Sequence, residues 1–287
     1  MSLTEIRNEI DQVDAQIREL FIRRMGLAER VAVEKAKTED VIYKPDREQA
    51  IIEKQSKDMD PHLLMEYRAL VKRIMEVSRK YQYGRTLELR NCFPYEFETE
   101  ERTAEKLAVG RCDLQLCPYS CRDEIVTTDT SETALNMLIS GKVDAAAGVL
   151  EEVGRGVNDK LYEVLHREHL YITDCRIVTR NGSRYKTAMI RKNFIVLPDH
   201  NRIKLVFVCP NRSGSLAGLL SMISDYGVNV TQINSLPYRT EEEWNYQFYL
   251  EIEANLLQDT TKALIYQLSC ETAELQLLGS YNCEGDF

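Results

Sequence analysis

The chain has 287 residues, 44% of them hydrophobic, with eight cysteines and a formal net charge of −9. That length can bury two or three separate cores, and the acidic balance excludes a protein that holds nucleic acid or an anionic membrane by neutralising phosphates. No apolar run approaches the roughly 20 residues a bilayer-crossing helix needs, and the N-terminal segment runs straight into a charged amphipathic pattern, so a cytoplasmic protein with reduced thiols is expected.

Residues 1–85 show helical periodicity throughout. Apolar residues at Ile6, Ile10, Val13, Ile17 and Leu20 resume at Leu27 and Val31, a three-and-four spacing that predicts one buried stripe on a helix over 3–37. Position 24 continues the stripe and is Arg24; Lys35 follows Val31 by one turn on the edge of the same face. A cation facing a core is costly unless an anion meets it, so the stripe asks for a buried acid or an anionic ligand. The stretch YKPDRE at 43–48 reads as a loop entering a second helix, because proline suits a first turn and acids favour helix N-termini. That helix ends near Lys57, and Asp58 to Pro61 form the next break. A third helix carries Leu64, Tyr67, Val71, Ile74 and Tyr81, with Ser78 one turn after Ile74 and Gln82 one turn after Ser78. Taken singly, Ser78 suits a tight helix crossing and Gln82 a wet helix end. Beside Arg24, Lys35, Arg47 and Glu48 they form a polar set.

Residues 86–200 predict an α/β segment, with strands at 124–128 and 171–179, a helix at 131–140, and a turn and buried strand at 141–149. Cys112, Cys117 and Cys121 come closest to ligand spacing but contain no CxxC pair, so no metal site is expected. His166 and His169 read as solvated residues of a helix surface. Residues 197–201 form a linker. In the C-terminal block, 201–287, residues 203–281 predict the order βαββαβ, with helices on one face of an antiparallel sheet.

Along one helix Arg24 and Lys35 stand roughly 16 Å apart after nearly whole turns, so their long arms can converge on one small ligand. Arg7 lies about 25 Å from Arg24 along the axis; if it contributes chemistry it does so in a partner subunit, and a solvated flank residue is the alternative. The set offers cations, one carboxylate, a hydroxyl and an amide, without a histidine, a cysteine nucleophile or a metal triad. Such groups suit clamping a dianion and stabilising charge separation, with no proton transfer or covalent intermediate.

The segment LTEIRNEIDQVDAQIRELFIRRMGLAERVAVEKAK, then YKPDREQ, then SRKYQ, closely resembles the all-helical chorismate mutase family over residues 3–84. The resemblance implies a three-helix bundle that forms an intertwined dimer and rearranges chorismate to prephenate with no cofactor. It further implies that Arg7 reaches the partner's substrate, Arg24 and Arg47 hold carboxylates, Lys35 and Gln82 donate to the departing ether oxygen, Glu48 accepts from the ring hydroxyl, and Ser78 supports a carboxylate. The family commonly has Asp where this chain has Lys44.

Residues 203–281 resemble the ACT regulatory domain fused to prephenate dehydratases, through Gly214-Ser215-Leu216-Ala217, Asn234-Ser235-Leu236-Pro237, Trp244 with Tyr246, and LGSY at 278–281. That likeness implies an amino-acid effector, usually phenylalanine, bound between paired domains near Gly214, Ser215, Leu216, Ala217, Asn234 and Ser235. Family members typically show Glu and Arg at the positions of Asn234 and Leu236. The middle block resembles a truncated prephenate dehydratase lobe around TSETALNMLISGKVDAAAGVLEE, and Lys192-Asn193-Phe194 stands where the family has its catalytic Thr-Arg-Phe. The expected protein is thus multidomain, α plus α/β: a mutase bundle (1–85), a degenerate dehydratase-like segment (86–200) and an ACT domain (201–287), in a homodimer or higher homo-oligomer. A bifunctional mutase/dehydratase and a non-catalytic amino-acid-sensing dimer are the alternatives.

Overall fold

The structure, a computed structural model, describes residues 1–100, 103–211, 214–239 and 244–283; the side chains of Arg239 and Trp244 also lie outside the description. Two compact units divide the chain, Met1–Phe93 and Pro94–Phe287.

The first unit is three helices, α1 (Leu3–Thr38), α2 (Pro45–Ser56) and α3 (Leu64–Arg90). Ser2 and Glu5 close a capping box at the start of α1, with Glu5 N–H donating to Ser2 Oγ at 3.3 Å and Ser2 N–H to Glu5 Oε2 at 2.6 Å. Lys35 and Lys37 in its last turn favour the negative end of the helix dipole. Pro45 opens α2, and Asn91, left-handed at φ 48°, ends α3 with its N–H on Leu87 O at 2.9 Å. Both α1 and α2 pack on α3. The face of α1 covered within the chain is marked by Ala28 and Ala32, small residues that let the helices approach. The predicted stripe is not buried by this chain: Ile10, Val13, Ile17 and Leu20 are 52–64% exposed. The stripe's periodicity was legible, but its cover is not supplied by α2 or α3.

In the second unit the strands are β1 (Lys106–Gly110), β2 (Glu124–Thr128), β3 (Ala145–Glu152), β4 (Gly156–Val157), β5 (Tyr171–Arg180), β6 (Ser183–Arg191), β7 (Arg202–Pro210), β8 (Asn229–Arg239), β9 (Trp244–Glu253) and β10 (Ala273–Tyr281). Its helices are α4 (Ser131–Ile139), α5 (Asp159–Arg167), α6 (Ser215–Asp225) and α7 (Asp259–Glu271). The strands form one mixed sheet in the order β2-β1-β3-β6-β5-β10-β7-β9-β8, with β4 paired to β3. From β7 to β10 the element order is the expected βαββαβ.

Alternation sorts the inner strands onto two buried faces. Ala108 and Ala146 join the cluster under α4 and α5 with Leu135, Leu138, Leu161 and Leu165, whereas Leu107, Val109, Ala145 and Ala147 pack on the opposite face with Tyr119. The middle block meets the βαββαβ segment where β5 and β10 run parallel at Ile172 and Gly279. A Cβ at Gly279 would stand 2.3 Å from Ile172 O, so only glycine permits that approach.

A buried polar network crosses the same junction. Lys186 on β6 and Glu251 on β9, both without exposed side-chain surface, form an ion pair. Tyr281 donates to Glu251 Oε2 at 2.5 Å and Thr231 to Oε1 at 2.9 Å. Lys204 on β7 donates to Gln232 Oε1 at 2.6 Å, and Gln232 in turn donates to Glu151 on β3. Burial pulls the Lys204 ammonium down to about 8, against the opposing pull of Glu251.

The reading of His166 needs correction, whereas His169 is exposed as expected. His166 is half-buried on α5, with Nδ1 3.0 Å from Gln247 Nε2, and burial lowers its pKa. The 197–201 linker is also held: Asn255 donates to Leu197 O, Pro198 O and His200 O at 2.8–3.1 Å.

Candidate active site

Six of the seven residues singled out in the helical block line one cavity of about 330 Å³ in the first unit. Arg24 and Lys35 come from α1, Arg47 and Glu48 from the first turn of α2, and Ser78 and Gln82 from α3. Leu27, Ala28, Val31, Ile42, Ile51 and Met75 supply apolar wall. Arg7 does not line the cavity; it is exposed near the other end of α1.

Arg24 and Lys35 are fixed by neutral acceptors. Arg24 Nη1 donates to Ser78 Oγ and, at 3.3 Å, to Ile74 O. Lys35 Nζ donates to Val41 O at 2.7 Å and Ile42 O at 3.0 Å, tying the end of α1 to the loop that leads into α2. Gln82 Nε2 donates to Ser78 O at 3.2 Å. Among the described residues, neither Arg24, Lys35 nor Arg47 has a carboxylate within ion-pair distance. Burial lowers the pKa of Arg24, with Glu48 opposing. Burial lowers that of Lys35 as well, where Lys44 and Arg47 add repulsion and Asp40 and Glu48 oppose. Arg47 itself is exposed, so the cavity opens to solvent on the α2 side.

One charged lining residue, Arg79, was not foreseen. Arg79 on α3 pairs with Glu48 at 2.5 Å and lies 4.5 Å from the Tyr43 ring centre. Lys44 pairs with Asp40 at 2.6 Å. A signal for Arg79 existed in the need of Glu48 for a counter-ion, but the partner lies 31 positions along the chain, on another helix. The lining thus carries Arg24, Lys35, Lys44, Arg47 and Arg79 against the single carboxylate of Glu48. With Lys44 and Arg79 engaged by carboxylates, three cations remain directed at a space that suits a small dianion.

Residues 6–83 match the family described as Chorismate mutase type II. The helical unit carries a chorismate mutase domain. A bifunctional chorismate mutase/prephenate dehydratase of Aquifex aeolicus (strain VF5) is 21% identical over 353 aligned positions, which cover 97% of this chain and 97% of that one. A prephenate dehydratase of Amycolatopsis methanolica is 24% identical over 102 residues, 34% of this chain and only 33% of that protein's length. Among solved structures, prephenate dehydratase from Streptococcus mutans superposes with a TM-score of 0.51 at 19% identity, covering 62% of this chain and 98% of that one. The Arthrobacter aurescens prephenate dehydratase in complex with L-Phe gives 0.50 at 13%, covering 61% and 89%. These shares exceed what the helical unit alone could supply, so the mixed sheet of the second unit shares the prephenate dehydratase fold. The mutase domain therefore sits in a chorismate mutase/prephenate dehydratase-like architecture.

The residues expected to hold an effector lie in the second unit. Gly214 has φ 82° and precedes α6, which Ser215, Leu216 and Ala217 open. Asn234 and Ser235 are on β8, and the Asn234 amide nitrogen is buried with no hydrogen-bond partner among the described residues. Lys192 donates to Ile139 O at 2.7 Å, Asn193 to Glu98 Oε1 at 2.5 Å, and Phe194 stacks on Tyr171 with ring centres 5.0 Å apart. Among the described residues no group of three or more His, Cys, Asp and Glu side chains is placed to hold a metal ion, and no helix is long and apolar enough to cross a membrane.

Proposed function

We propose that the chain is a chorismate mutase of aromatic amino-acid biosynthesis, working in the cytoplasm as a homodimer and answering to an amino-acid effector. The convergence of Arg24, Lys35, Arg47, Glu48, Ser78 and Gln82 on one cavity carries this reading. Arg24 and Arg47 clamp the two carboxylates of chorismate and hold it folded, which supplies the orientation a unimolecular rearrangement needs. As the ether bond breaks, its oxygen gains negative charge, and Lys35 and Gln82 donate to it. Glu48, held by Arg79, accepts from the ring hydroxyl. Ser78 anchors Arg24 and through it one carboxylate. Arg7 of a second copy completes the site, and the exposed apolar stripe of α1 is the surface on which that copy docks. The reaction takes no cofactor.

The second unit is proposed as a scaffold and sensor without dehydratase activity. Lys192, Asn193 and Phe194 are engaged in tethering and packing, and none offers the hydroxyl of the catalytic threonine that this position has in dehydratases. Alignment to the Aquifex aeolicus protein also needs 353 positions for a chain of 287 residues, so that relative has segments this chain lacks. For regulation, an ACT-type site near Gly214 to Ala217, Asn234 and Ser235 is proposed to bind phenylalanine. The orphan Asn234 amide and the L-Phe found with the Arthrobacter aurescens structure support it.

The test is a chorismate consumption assay on the purified chain, with and without phenylalanine, read alongside far-ultraviolet circular dichroism. Prephenate should form, phenylpyruvate should not, and Arg24→Ala and Lys35→Ala should each abolish turnover while leaving the helical spectrum intact. Full activity in both variants overturns the site, and phenylpyruvate formation overturns the scaffold reading.

A further inference from the structure

The second unit contains a larger cavity, of about 770 Å³, which neither the mutase reading nor the proposed effector site uses. Its floor is a face of β5 and β6. Cys175, Ala188 and Ile190 turn toward the core under α5, so the alternate residues Asp174, Arg176, Met189 and Arg191 face the other way, with Asp174 paired to Met189 across the two strands. One wall is the loop at 118–120, pinned by Tyr119, whose hydroxyl donates to Thr187 O at 2.8 Å. The opposite wall is the 195–200 segment, which Asn255 holds by three carbonyls. Hydrogen-bonded elements on each side make this a preformed space, in the size range of small-molecule sites.

Its polar groups carry balanced charge. Arg191 has a side chain only 10% exposed, and Asp144 stands 3.9 Å from it, at the limit of an ion pair. Arg176 is 3.1 Å from Asp174, and Asp199 adds a second carboxylate. His200 is buried; its Nδ1 accepts from Leu197 N–H at 3.2 Å and lies 3.1 Å from Ser280 Oγ, which leaves Nε2–H as the ring's remaining donor. Asn282 lines the same cavity, and its side-chain oxygen is buried with no donor among the described residues. An N–H of a molecule held in the cavity would supply the donor this buried oxygen takes.

Two guanidiniums and a histidine N–H suit a carboxylate; two carboxylates and an orphan amide oxygen suit an ammonium. A dicarboxylate would meet Asp174 and Asp199, and a simple amine would meet Arg176 and Arg191. Tyr119, Met189, Ile195 and Leu197 offer an apolar wall beside these charges. We propose that this cavity binds the zwitterion of an α-amino acid with an apolar or aromatic side chain, at a site separate from the α6 and β8 segment. Its placement gives such binding a consequence. Residues 197–200 lead into β7 and Asn282 follows β10, and these ends are tied by Asn201 N–H to Tyr281 O at 3.1 Å. A ligand here grips β5 and β6 together with both ends of the βαββαβ segment.

Calorimetric titration of the full chain with L-phenylalanine, L-tyrosine, L-tryptophan, L-leucine and L-methionine tests the proposal, with 3-phenylpropionate and phenethylamine as probes lacking one charge. At least one amino acid should bind at a site that Ser120→Trp, an exposed rim position, blocks outright. Asn282→Leu should weaken that site about tenfold or more, and Ser235→Trp, on the separate segment, should leave it intact. Each single-charge probe should bind about tenfold more weakly or worse. The proposal is overturned if none of the five amino acids binds, if Ser120→Trp and Asn282→Leu leave every amino acid's binding unchanged in both stoichiometry and affinity, or if a single-charge probe binds the Ser120-sensitive site as well as its amino acid.

Discussion

The Arg24 guanidinium on α1 donates to the Ser78 hydroxyl on α3, and that hydroxyl donates in turn to Ile74 O at 2.8 Å. Two polar interruptions of two apolar helix faces, separated by 54 positions in the chain, are therefore one interaction. Ser78 is 3% exposed and Arg24 half-buried. A cation that has lost part of its hydration and gained only neutral acceptors is poised for an anion, since a bound carboxylate supplies the charge its surroundings withhold.

Arg24→Leu separates stability from function at this position. Leucine continues the α1 stripe and removes the desolvated cation whose pKa burial lowers. The thermal midpoint should hold or rise, whereas chorismate turnover should fall about a hundredfold or more, the scale of losing one preorganised charged donor. Thermal unfolding and steady-state kinetics on the same preparation decide it. A variant that keeps its turnover would mean that Arg24 is a packing residue.

Lys35 sets an alkaline limit. Its pKa lies below the ordinary 10.5, chiefly through burial, so the ammonium proposed to donate to the ether oxygen is lost at a lower pH than for a free lysine. Turnover should decline on the alkaline side before the ordinary lysine range, and Lys35→Arg should move that decline upward. Stability runs the other way. Because the folded chain releases this proton first, the unfolded state binds more protons between the folded pKa and 10.5, and this group's contribution to stability rises with pH across that window. A pH–rate profile unmoved by Lys35→Arg would remove Lys35 from the chemistry.

The helices and most strands were legible because periodicity reports local geometry: the βαββαβ order appears where β-branched runs and turn residues put it. Arg24, Ser78 and Gln82 could be read for the same reason, each breaking a regular stripe. Arg79 could not, since its value comes from reaching Glu48 across two helices. Lys186, Lys204 and Glu251 were missed for another reason. In strands such as RIKLVFVCP a charged residue between apolar ones suggests a solvated face, yet Lys204 has no exposed surface because the sheet is covered on both sides there. The exposed α1 stripe marks a third limit: periodicity identifies an apolar face without identifying which chain covers it.

The Lys186–Glu251 pair gives a test of how the second unit is held together. Burial opposes the Lys186 ammonium, but Glu251, with Cys175 and Cys283 beside it, outweighs burial and the pKa is raised. The Glu251 carboxylate is likewise held below its usual range, with Lys186 and Lys204 overcoming burial. Lys186→Met leaves a buried carboxylate short of its main counter-charge and should destabilise the chain by about 3–5 kcal/mol in denaturant unfolding. Adding Glu251→Leu should recover part of that loss, because the double variant buries neither charge of the pair while Lys204, Tyr281 and Thr231 give up their interaction with the carboxylate. Simple additivity of the two losses would show that the pair is not coupled.

The exposed stripe of α1 and the distance of Arg7 from the cavity lead to one experiment on the assembly. If each site takes Arg24 from one copy and Arg7 from the other, Arg7→Ala and Arg24→Ala proteins are both inactive alone, each for a different missing group. Dissociated, mixed in equal amounts and reassembled, about half of the dimers contain one copy of each variant, and one of the two sites in such a dimer has both arginines, so about a quarter of wild-type turnover should return. Ile17→Glu, which places a charge at a stripe position 55% exposed in the single chain, should prevent this rescue and shift the wild-type background to a smaller species in sedimentation. An Arg7→Ala protein that is active alone would place Arg7 outside the site, mixtures that stay inactive while still forming dimers would rule out its contribution across the dimer, and an Ile17→Glu protein that sediments as the wild type would place the dimer contact elsewhere.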